Sequence, residues 1–453
     1  MAARKGLDMT TGPIFRKLLL FAYPLMINSV VNTLYGIADQ VIAGQYIGDV
    51  AIAAVGVCSS PINLIISAFT GMASGVSVLC GNFIGGNQKE DLRKCMHCAP
   101  VIGLLLGLVL CLLGVAGARP LLTAMDTPDS VLSSAVTYMT IRMMGIPFEM
   151  TGTFCLSIFT AHGDTKRITL SGLVSGFVNI LGNLFFVVVV PIGISGIALA
   201  TVLSQTLSMA IKVAILFAPR DIYRMRVQEL RLHMQYVKQI IRIGLPNGMN
   251  SIAFNFSNVL LQSSVNTFGA AVIAGNTAAD TVATLVIMFP SQINAACSCA
   301  VAQCFGAKNF QRIKDVIKKG IFGTIVMTAI AGVIVTLCAK PLMGMFTDSA
   351  EVAEAGVLKL MFSIWSYILY IFAMIYAGAL SGMRRSSVTM VRNLLGICLP
   401  RILWVWFVFP FFPTPVVLYL IKPLSNLISA ILLGTAFRKH LRKARAEELP
   451  APL

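Results

Sequence analysis

The chain has 453 residues, of which 57% are hydrophobic and 12% charged, and its mean hydropathy is +0.83. This composition excludes an ordinary soluble globular protein and indicates a polytopic membrane protein. The formal net charge of +17 does not indicate nucleic-acid binding, because the Lys and Arg residues fall in short connectors between apolar stretches.

Twelve apolar stretches are long enough to span a bilayer, which takes about 20 helical residues. They cover approximately residues 14–46, 51–80, 93–117, 130–160, 168–190, 194–217, 236–267, 271–304, 315–338, 353–380, 389–410 and 415–436. Most of the 35 Lys and Arg residues lie at the termini and in the even-numbered connectors, which predicts that both termini are cytoplasmic. The first stretch is too long for a signal peptide and has no small-residue cleavage site, so we expect it to remain as the first helix.

An internal repeat divides these spans into two groups. The first span contains Pro24-Leu-Met-Ile-Asn28-Ser29, and the seventh contains Pro246-Asn-Gly-Met-Asn250-Ser251 at an offset of 222 residues. Because six spans separate the partners, the two halves have the same topology. The predicted organisation is a cytoplasmic N-terminal tail (1–13), a six-helix bundle (14–218), a basic cytoplasmic linker (219–235), a second six-helix bundle (236–437) and a cytoplasmic C-terminal tail (438–453).

The first span carries a carboxylate, Asp39, among apolar residues. A charged Asp near the middle of a spanning helix costs roughly 2.5–3.5 kcal/mol on insertion scales, so such a residue is by default a functional candidate. Protonation or a bound cation would relieve the cost of its charge. The alternative is that Asp39 only caps the far end of the helix at the membrane interface.

Polar side chains form a stripe along one face of the first span and another along the seventh. The two stripes consist of Asn28, Asn32, Tyr35 and Asp39, and of Ser251, Asn255, Asn258 and Gln262. Their spacing of four, three and four residues places each set on one helical face. Polar groups facing lipid would be unsatisfied, so the stripes indicate a central aqueous cavity between the two bundles. The alternative is hydrogen bonding between helices without a cavity, at about 0.6 kcal/mol per contact.

The fifth and sixth spans supply further oxygen atoms. Asn179 and Asn183 lie four residues apart in the fifth span, and Thr201 and Gln205 in the sixth. With Asp39 they would offer the oxygen ligands that a hard monovalent cation prefers, or hydrogen bonds for a protonated Asp.

The second half has no acid where the repeat would match Asp39, since Gln262 or Leu261 falls there. The ion chemistry is therefore predicted in the first half. Asp280, near the start of the eighth span, is a secondary candidate, and Arg142 and Glu149 in the fourth span could form a structural pair. Lys359, Arg401 and Lys422 also lie in or near spans and receive no role.

Neither a metal site nor a disulfide framework is predicted. The eleven cysteines fall mostly inside apolar stretches, where a free thiol behaves as a small hydrophobe. Only Cys95, His97 and Cys98 have ligand-like spacing, and no second Cys/His pair lies near them in sequence.

Taken with its repeat, the chain resembles the multidrug and toxic compound extrusion (MATE) family over approximately residues 14–437. The motifs that carry this likeness are the helix Pro24…Asp39…Gly48, the connector Gly85-Gly86, the loop Gly163-Asp164-Thr165-Lys166, the segment Gly193-Ile-Ser-Gly196-Ile-Ala-Leu-Ala200-Thr201, and their second-half counterparts. The resemblance implies an all-α membrane protein with a V-shaped pair of six-helix lobes. It also implies export of amphipathic, often cationic compounds in exchange for Na⁺ or H⁺ by alternating access.

The same resemblance implies roles for particular residues. In many bacterial members the ion site of the N-terminal lobe uses an aspartate of the first span, which matches Asp39. Polar residues of the fifth span match Asn179 and Asn183, and a threonine of the sixth matches Thr201. Some relatives have an acid where this chain has Asn183, and another branch has acids in the seventh and tenth spans that are absent here.

These observations predict a secondary multidrug antiporter with no catalytic residue, no metal and no cofactor besides the coupling ion. We expect a monomer in the cell membrane that takes small amphipathic or cationic substrates and binds no nucleic acid. One alternative is a flippase for lipid-linked oligosaccharides, which would favour a strongly charged cavity and extra spans. Another is an integral-membrane enzyme, although all four His residues lie at cytoplasmic ends or in connectors.

Overall fold

Twelve long helices follow one another along the computed structural model, which describes residues 6–218, 223, 225–347 and 349–448. They are α1 (Ile14–Tyr46), α2 (Asp49–Gly85), α3 (Lys89–Ala124), α4 (Asp129–His162), α5 (Thr165–Val189), α6 (Ile194–Phe217), α7 (Met234–Val265), α8 (Ala270–Gly306), α9 (Phe310–Leu337), α10 (Ala350–Gly382), α11 (Ser386–Val408) and α12 (Pro415–Glu448). A short helix, Ala339–Gly344, lies between α9 and α10. The parts of the predicted tails and linker at residues 1–5, 219–222, 224 and 449–453 lie outside the described residues.

Ten of the described helices are long and apolar enough to cross a membrane. The two long helices that do not meet this measure are α4 and α7, with 34 and 32 residues. Their length suffices for a span, but α4 contains Arg142 and Glu149, and α7 contains Lys238, Arg242 and the polar stripe. Polar content, and not length, therefore distinguishes these two helices from the others.

The backbone of the connectors repeats between the halves. Six of the nine described residues with positive φ angles form pairs at a constant offset of 221 residues: Gly48 (111°) with Gly269 (91°), Asn87 (54°) with Lys308 (56°), and Gly163 (70°) with Arg384 (60°). Each pair follows the equivalent helix in its half, so the repeat extends from sequence to local conformation.

The chain forms two compact units. Unit 1 comprises Tyr23–Gly244 and the described residues up to Asp8, and unit 2 comprises Met9–Ala22 and Leu245–Leu453. Helix α1 therefore contributes its first residues to unit 2, and α7 contributes its first residues to unit 1. Pro24 and Pro246 each lie just after the point where their helix passes from one unit to the other.

The fourth helix of each half is the centre of its unit. In unit 1, α4 packs against α2, α3 and α6, and in unit 2, α10 packs against α8, α9 and α12. Apolar side chains fill the space around both, including Met143 and Ile146 of α4 and Leu360 and Ile364 of α10. A helix enclosed by protein can carry charged groups that lipid would not satisfy, and both central helices do.

Candidate ion and substrate sites

The candidate ion site of unit 1 joins α1, α5 and α6. The Asn183 amide Nδ2 donates a hydrogen bond to Asp39 Oδ1 and lies 3.4 Å from Asn179 Oδ1. Asn179 Nδ2 in turn donates to Thr201 Oγ1 at 3.3 Å. The structure thus brings together all four residues that the sequence assigns to this site.

The polar side chains of this cluster are largely shielded from solvent. Asn179 and Asn183 are 1% and 0% exposed, and Asp39 is half-buried. The Asn183 Oδ1 atom is buried and has no hydrogen-bond partner among the described residues. A carboxylate, two amide oxygens and a hydroxyl are ligands suited to a monovalent cation, and the free Oδ1 could equally accept a hydrogen bond from a protonated carboxyl.

A second polar feature of unit 1 lies on α4. Arg142 Nη2 lies 3.4 Å from Glu149 Oε2, and the two side chains are 9% and 12% exposed. This confirms the pair predicted from the sequence.

Four of the predicted cavity residues line one cavity within unit 1, with a volume of ≈ 200 Å³. They are Asn28, Asn32, Tyr35 and Gln205. Glu149 and Lys212 also line it, and Lys212 Nζ donates to Ser208 Oγ at 2.9 Å. The cavity is therefore polar and holds one charge of each sign.

Of the polar stripe on α7, only part lines a cavity within its own unit. Asn258 and Gln262 line a cavity of ≈ 330 Å³ within unit 2, together with Asp280 of α8. Ser251 and Asn255 are not among the residues that line it, and the Ser251 hydroxyl donates to the backbone oxygen of Asn247 at 3.2 Å. Two of the four stripe residues of α7 thus line this cavity, and the central cavity between the bundles stays a prediction for all four.

Three basic residues that the sequence reasoning left without a role line the same cavity of unit 2: Lys359 of α10, Arg401 of α11 and Lys422 of α12. The stripe residues of α7 are neutral, but the cavity they help to form is basic. Their position in the sequence already indicates a functional site, because charged residues inside spanning segments mark such sites by default.

The cluster around Cys95 and Cys98 fastens the linker to α3. His97 Nδ1 lies 2.7 Å from the Arg93 oxygen, and its Nε2 accepts a hydrogen bond from the Arg226 amide at 3.0 Å. The side chain of Glu229 is paired with Arg93, and that hydrogen bond lowers the pKa of the Glu229 carboxyl. Over the described residues, no group of three or more His, Cys, Asp and Glu side chains is arranged to hold a metal ion.

Comparison with known proteins agrees with the repeat. The MatE family model matches residues 24–185 and, a second time, residues 246–407. The chain belongs to the MatE family. The two matched segments begin at Pro24 and Pro246, the prolines that open the repeated motif.

The relatives of this MatE protein are transporters. It is 26% identical to the probable multidrug resistance protein YoeA of Bacillus subtilis over 79% of each chain. It is 23% identical to the probable multidrug resistance protein NorM of Thermotoga maritima, over 86% of this chain and 84% of that one. Its fold matches a solved multidrug resistance MATE family transporter of the MOP superfamily in an outward-facing conformation, with a TM-score of 0.90, 20% identity, and coverage of 98% of this chain and 100% of that one. This MatE protein is therefore a multi-pass membrane protein with the MATE transporter fold.

Proposed function

We propose that this MatE protein is a secondary antiporter that exports amphipathic, often cationic small molecules in exchange for H⁺ or Na⁺. Its family and the multidrug resistance names of its relatives support the efflux function. The observation that carries the ion exchange is the half-buried Asp39 carboxylate, which accepts a hydrogen bond from a fully buried amide in a membrane-spanning bundle.

The Asn183 amide gives this site two ways to satisfy Asp39. In the orientation described, Nδ2 donates to the charged carboxylate. Rotating the amide by half a turn would present Oδ1, which accepts a hydrogen bond from a protonated carboxyl or ligates a cation. Both states of Asp39 would therefore have a partner, which a reversible ion site requires.

Coupling follows from a shared helix. Asp39 and the cavity residues Asn28, Asn32 and Tyr35 all lie on α1. Ion binding at one level of this helix and substrate binding at another would bias the same element. The two ligands then change each other's affinity by the same factor, as reciprocal linkage demands.

The test is efflux from cells or vesicles with Na⁺ and pH gradients imposed separately, for the parent and for Asp39→Asn. We expect the variant to lose gradient-driven efflux, because Asn has nearly the shape of Asp but neither binds a proton nor contributes a charge to a cation site. Whichever gradient drives the parent identifies the ion.

Asp126→Asn provides the matched control. Asp126 lies in the exposed connector after α3 with a φ angle of 53°, a conformation that Asn adopts readily. We expect parental efflux from this variant. If Asp39→Asn transports as well as Asp126→Asn under the imposed gradients, the ion site lies elsewhere.

The other predicted properties extend the proposal. We infer a monomer in the cell membrane with cytoplasmic termini and no cofactor besides the coupling ion. Relatives named for multidrug resistance favour drug efflux over flipping of lipid-linked oligosaccharides, and they are transporters and not enzymes. A flippase would need a strongly charged cavity, and the basic cavity of unit 2 is one cavity of that kind.

A further inference from the structure

The cavity of unit 2 contains more positive than negative charge. Its ≈ 330 Å³ are enclosed by α7, α8, α10, α11 and α12. Its charged lining residues are Lys359, Arg401, Lys422 and a single acid, Asp280. With ordinary charges, these four side chains leave the cavity with two positive charges in excess.

One carboxylate serves both lysines. Lys359 Nζ lies 3.2 Å from Asp280 Oδ1, and Lys422 Nζ lies 3.7 Å from the same oxygen. Lys359 also donates to Asn276 Oδ1, and Lys422 to Ser363 Oγ at 3.3 Å. Asp280 can neutralise only one of the two ammonium groups.

Arg401 has neutral neighbours. Its Nη1 donates to Asn258 Oδ1 at 2.9 Å and to Ser257 Oγ at 3.0 Å, and its Nε donates to Ser425 Oγ at 3.3 Å. No ion pair joins it to a carboxylate within the described part of the chain, although it is only 3% exposed. An uncompensated charge in such a place is costly, so it indicates a ligand of opposite sign.

Further groups in the cavity suit the rest of such a ligand. The Tyr419 hydroxyl is buried and has no hydrogen-bond partner among the described residues, so it can donate to an acidic group. Phe254, Tyr367 and Tyr370 supply aromatic surface. The volume lies at the lower end of the range of about 300–1,000 Å³ that is usual for small-molecule sites.

We propose that this cavity binds an amphipathic organic anion. A carboxylate or phosphate group lies between Arg401 and the two lysines, and an apolar or aromatic body lies against Phe254, Tyr367 and Tyr370. The inference rests on the proposed efflux function, and it extends the substrate class from cations to anions within unit 2.

A pair of dyes with one scaffold and opposite charge tests the proposal. Fluorescein, an anion at about pH 8, and rhodamine 123, a cation, share the xanthene ring system. Binding of each to the purified full-length protein in an uncharged detergent is measured by fluorescence anisotropy. We expect fluorescein to bind more tightly than rhodamine 123, and added salt to weaken its binding.

Variants of the charged lining residues should change the affinity for fluorescein in opposite directions. Arg401→Gln and Lys422→Gln each remove a positive charge and should weaken fluorescein binding by about tenfold or more. Arg401→Lys keeps the charge and should weaken it less. Asp280→Asn releases both lysines from their shared acid and should tighten fluorescein binding, a gain that misfolding does not produce. Lys340→Gln changes an exposed lysine of unit 2 that does not line the cavity and should leave binding unchanged.

Three results would overturn the proposal. The first is preferential binding of rhodamine 123, and the second is fluorescein binding that is indifferent to Lys422→Gln and Asp280→Asn. The third comes from nanodiscs: loss of fluorescein binding in phosphatidylglycerol, but not in phosphatidylcholine, would identify a lipid headgroup as the occupant. Because no gradient is imposed, failure of this binding test is distinct from failure of Asp39-dependent efflux.

Discussion

The ion pair of α4 places two charged side chains inside unit 1, and its contribution to stability can be measured. Arg142 and Glu149 are largely enclosed, at 9% and 12% exposure. Removing one partner of a buried pair costs about 3–5 kcal/mol because the other charge stays behind, whereas replacing both by apolar residues of similar size is often close to neutral.

We therefore expect Arg142→Met to lower the melting temperature of the purified protein more than the double variant Arg142→Met/Glu149→Met. Differential scanning fluorimetry in detergent measures this. Lys443→Met removes one partner of an exposed pair, Lys443 and Glu447 at 3.8 Å, and should change stability little. Equal destabilisation by the single and double variants would contradict this expectation.

Single residues differ in how far the sequence predicts their surroundings. Helical spacing and a family resemblance together predict the ion site of Asp39, Asn179, Asn183 and Thr201. The structure joins these residues by hydrogen bonds. The basic cavity of unit 2 does not follow in this way. Its cations lie one to a helix on α10, α11 and α12, so no periodic pattern joins them. Only the packing of the bundle brings them together.

Glycines in α3 show how closely two helices approach. A Cβ atom on Gly107 would lie 2.5 Å from the Cα atom of Pro147 in α4, whereas a Cβ on Gly117 would meet nothing within 4 Å. The backbone of α4 cannot move aside as a flexible side chain would. The same substitution should therefore destabilise the protein at Gly107 but not at Gly117.

We expect Gly107→Ala to destabilise the protein by about 1–3 kcal/mol through overpacking. Gly117→Ala should be neutral or stabilising by up to about 1 kcal/mol, because Ala has the higher helix propensity. Thermal unfolding of both variants in the same detergent measures the difference. A Gly107→Ala protein as stable as Gly117→Ala would mean that α3 and α4 are farther apart than described.

Helix lengths exceed what apolar patterns predict. The predicted span 14–46 has the bounds of α1, but the predicted spans 51–80 and 415–436 correspond to helices Asp49–Gly85 and Pro415–Glu448. Hydropathy reports the part of a helix suited to lipid, whereas a helix continues for as long as its backbone hydrogen bonds do. The charged last turns of α12 are helical without being apolar.

The arrangement of the whole chain across the membrane is testable with its own cysteines. Cys338, after α9, is exposed, Cys111 is partly exposed, and the other nine are buried. The proposed arrangement of twelve spans with a cytoplasmic N-terminus would place the connector after the ninth span outside the cell. A membrane-impermeant maleimide should therefore label intact cells through Cys338.

Cys338→Ser is the control for this labelling and should abolish most of it. Labelling that appears only after the cells are permeabilised would place Cys338 on the cytoplasmic side and reverse the predicted orientation.

At the scale of the whole molecule, the sequence predicts the repeat. It does not predict which residues belong to which of the two units. The prolines at 24 and 246 predict equivalent helices, and the family model matches both segments. The first residues of α1 belong to unit 2, and the first residues of α7 belong to unit 1. This membership depends on contacts between residues that are far apart in the chain. Apolar periodicity carries no information about such distant partners.

This exchange has a consequence for biosynthesis. The Met9 amide donates to Gln303 Oε1 at 2.8 Å, a partner 294 residues later in the chain. Ribosomes add about 5–20 residues each second, so Met9 leaves the ribosome roughly 15–60 s before its partner is made. The start of the chain is thus synthesised first but is among the last segments able to reach its native contacts.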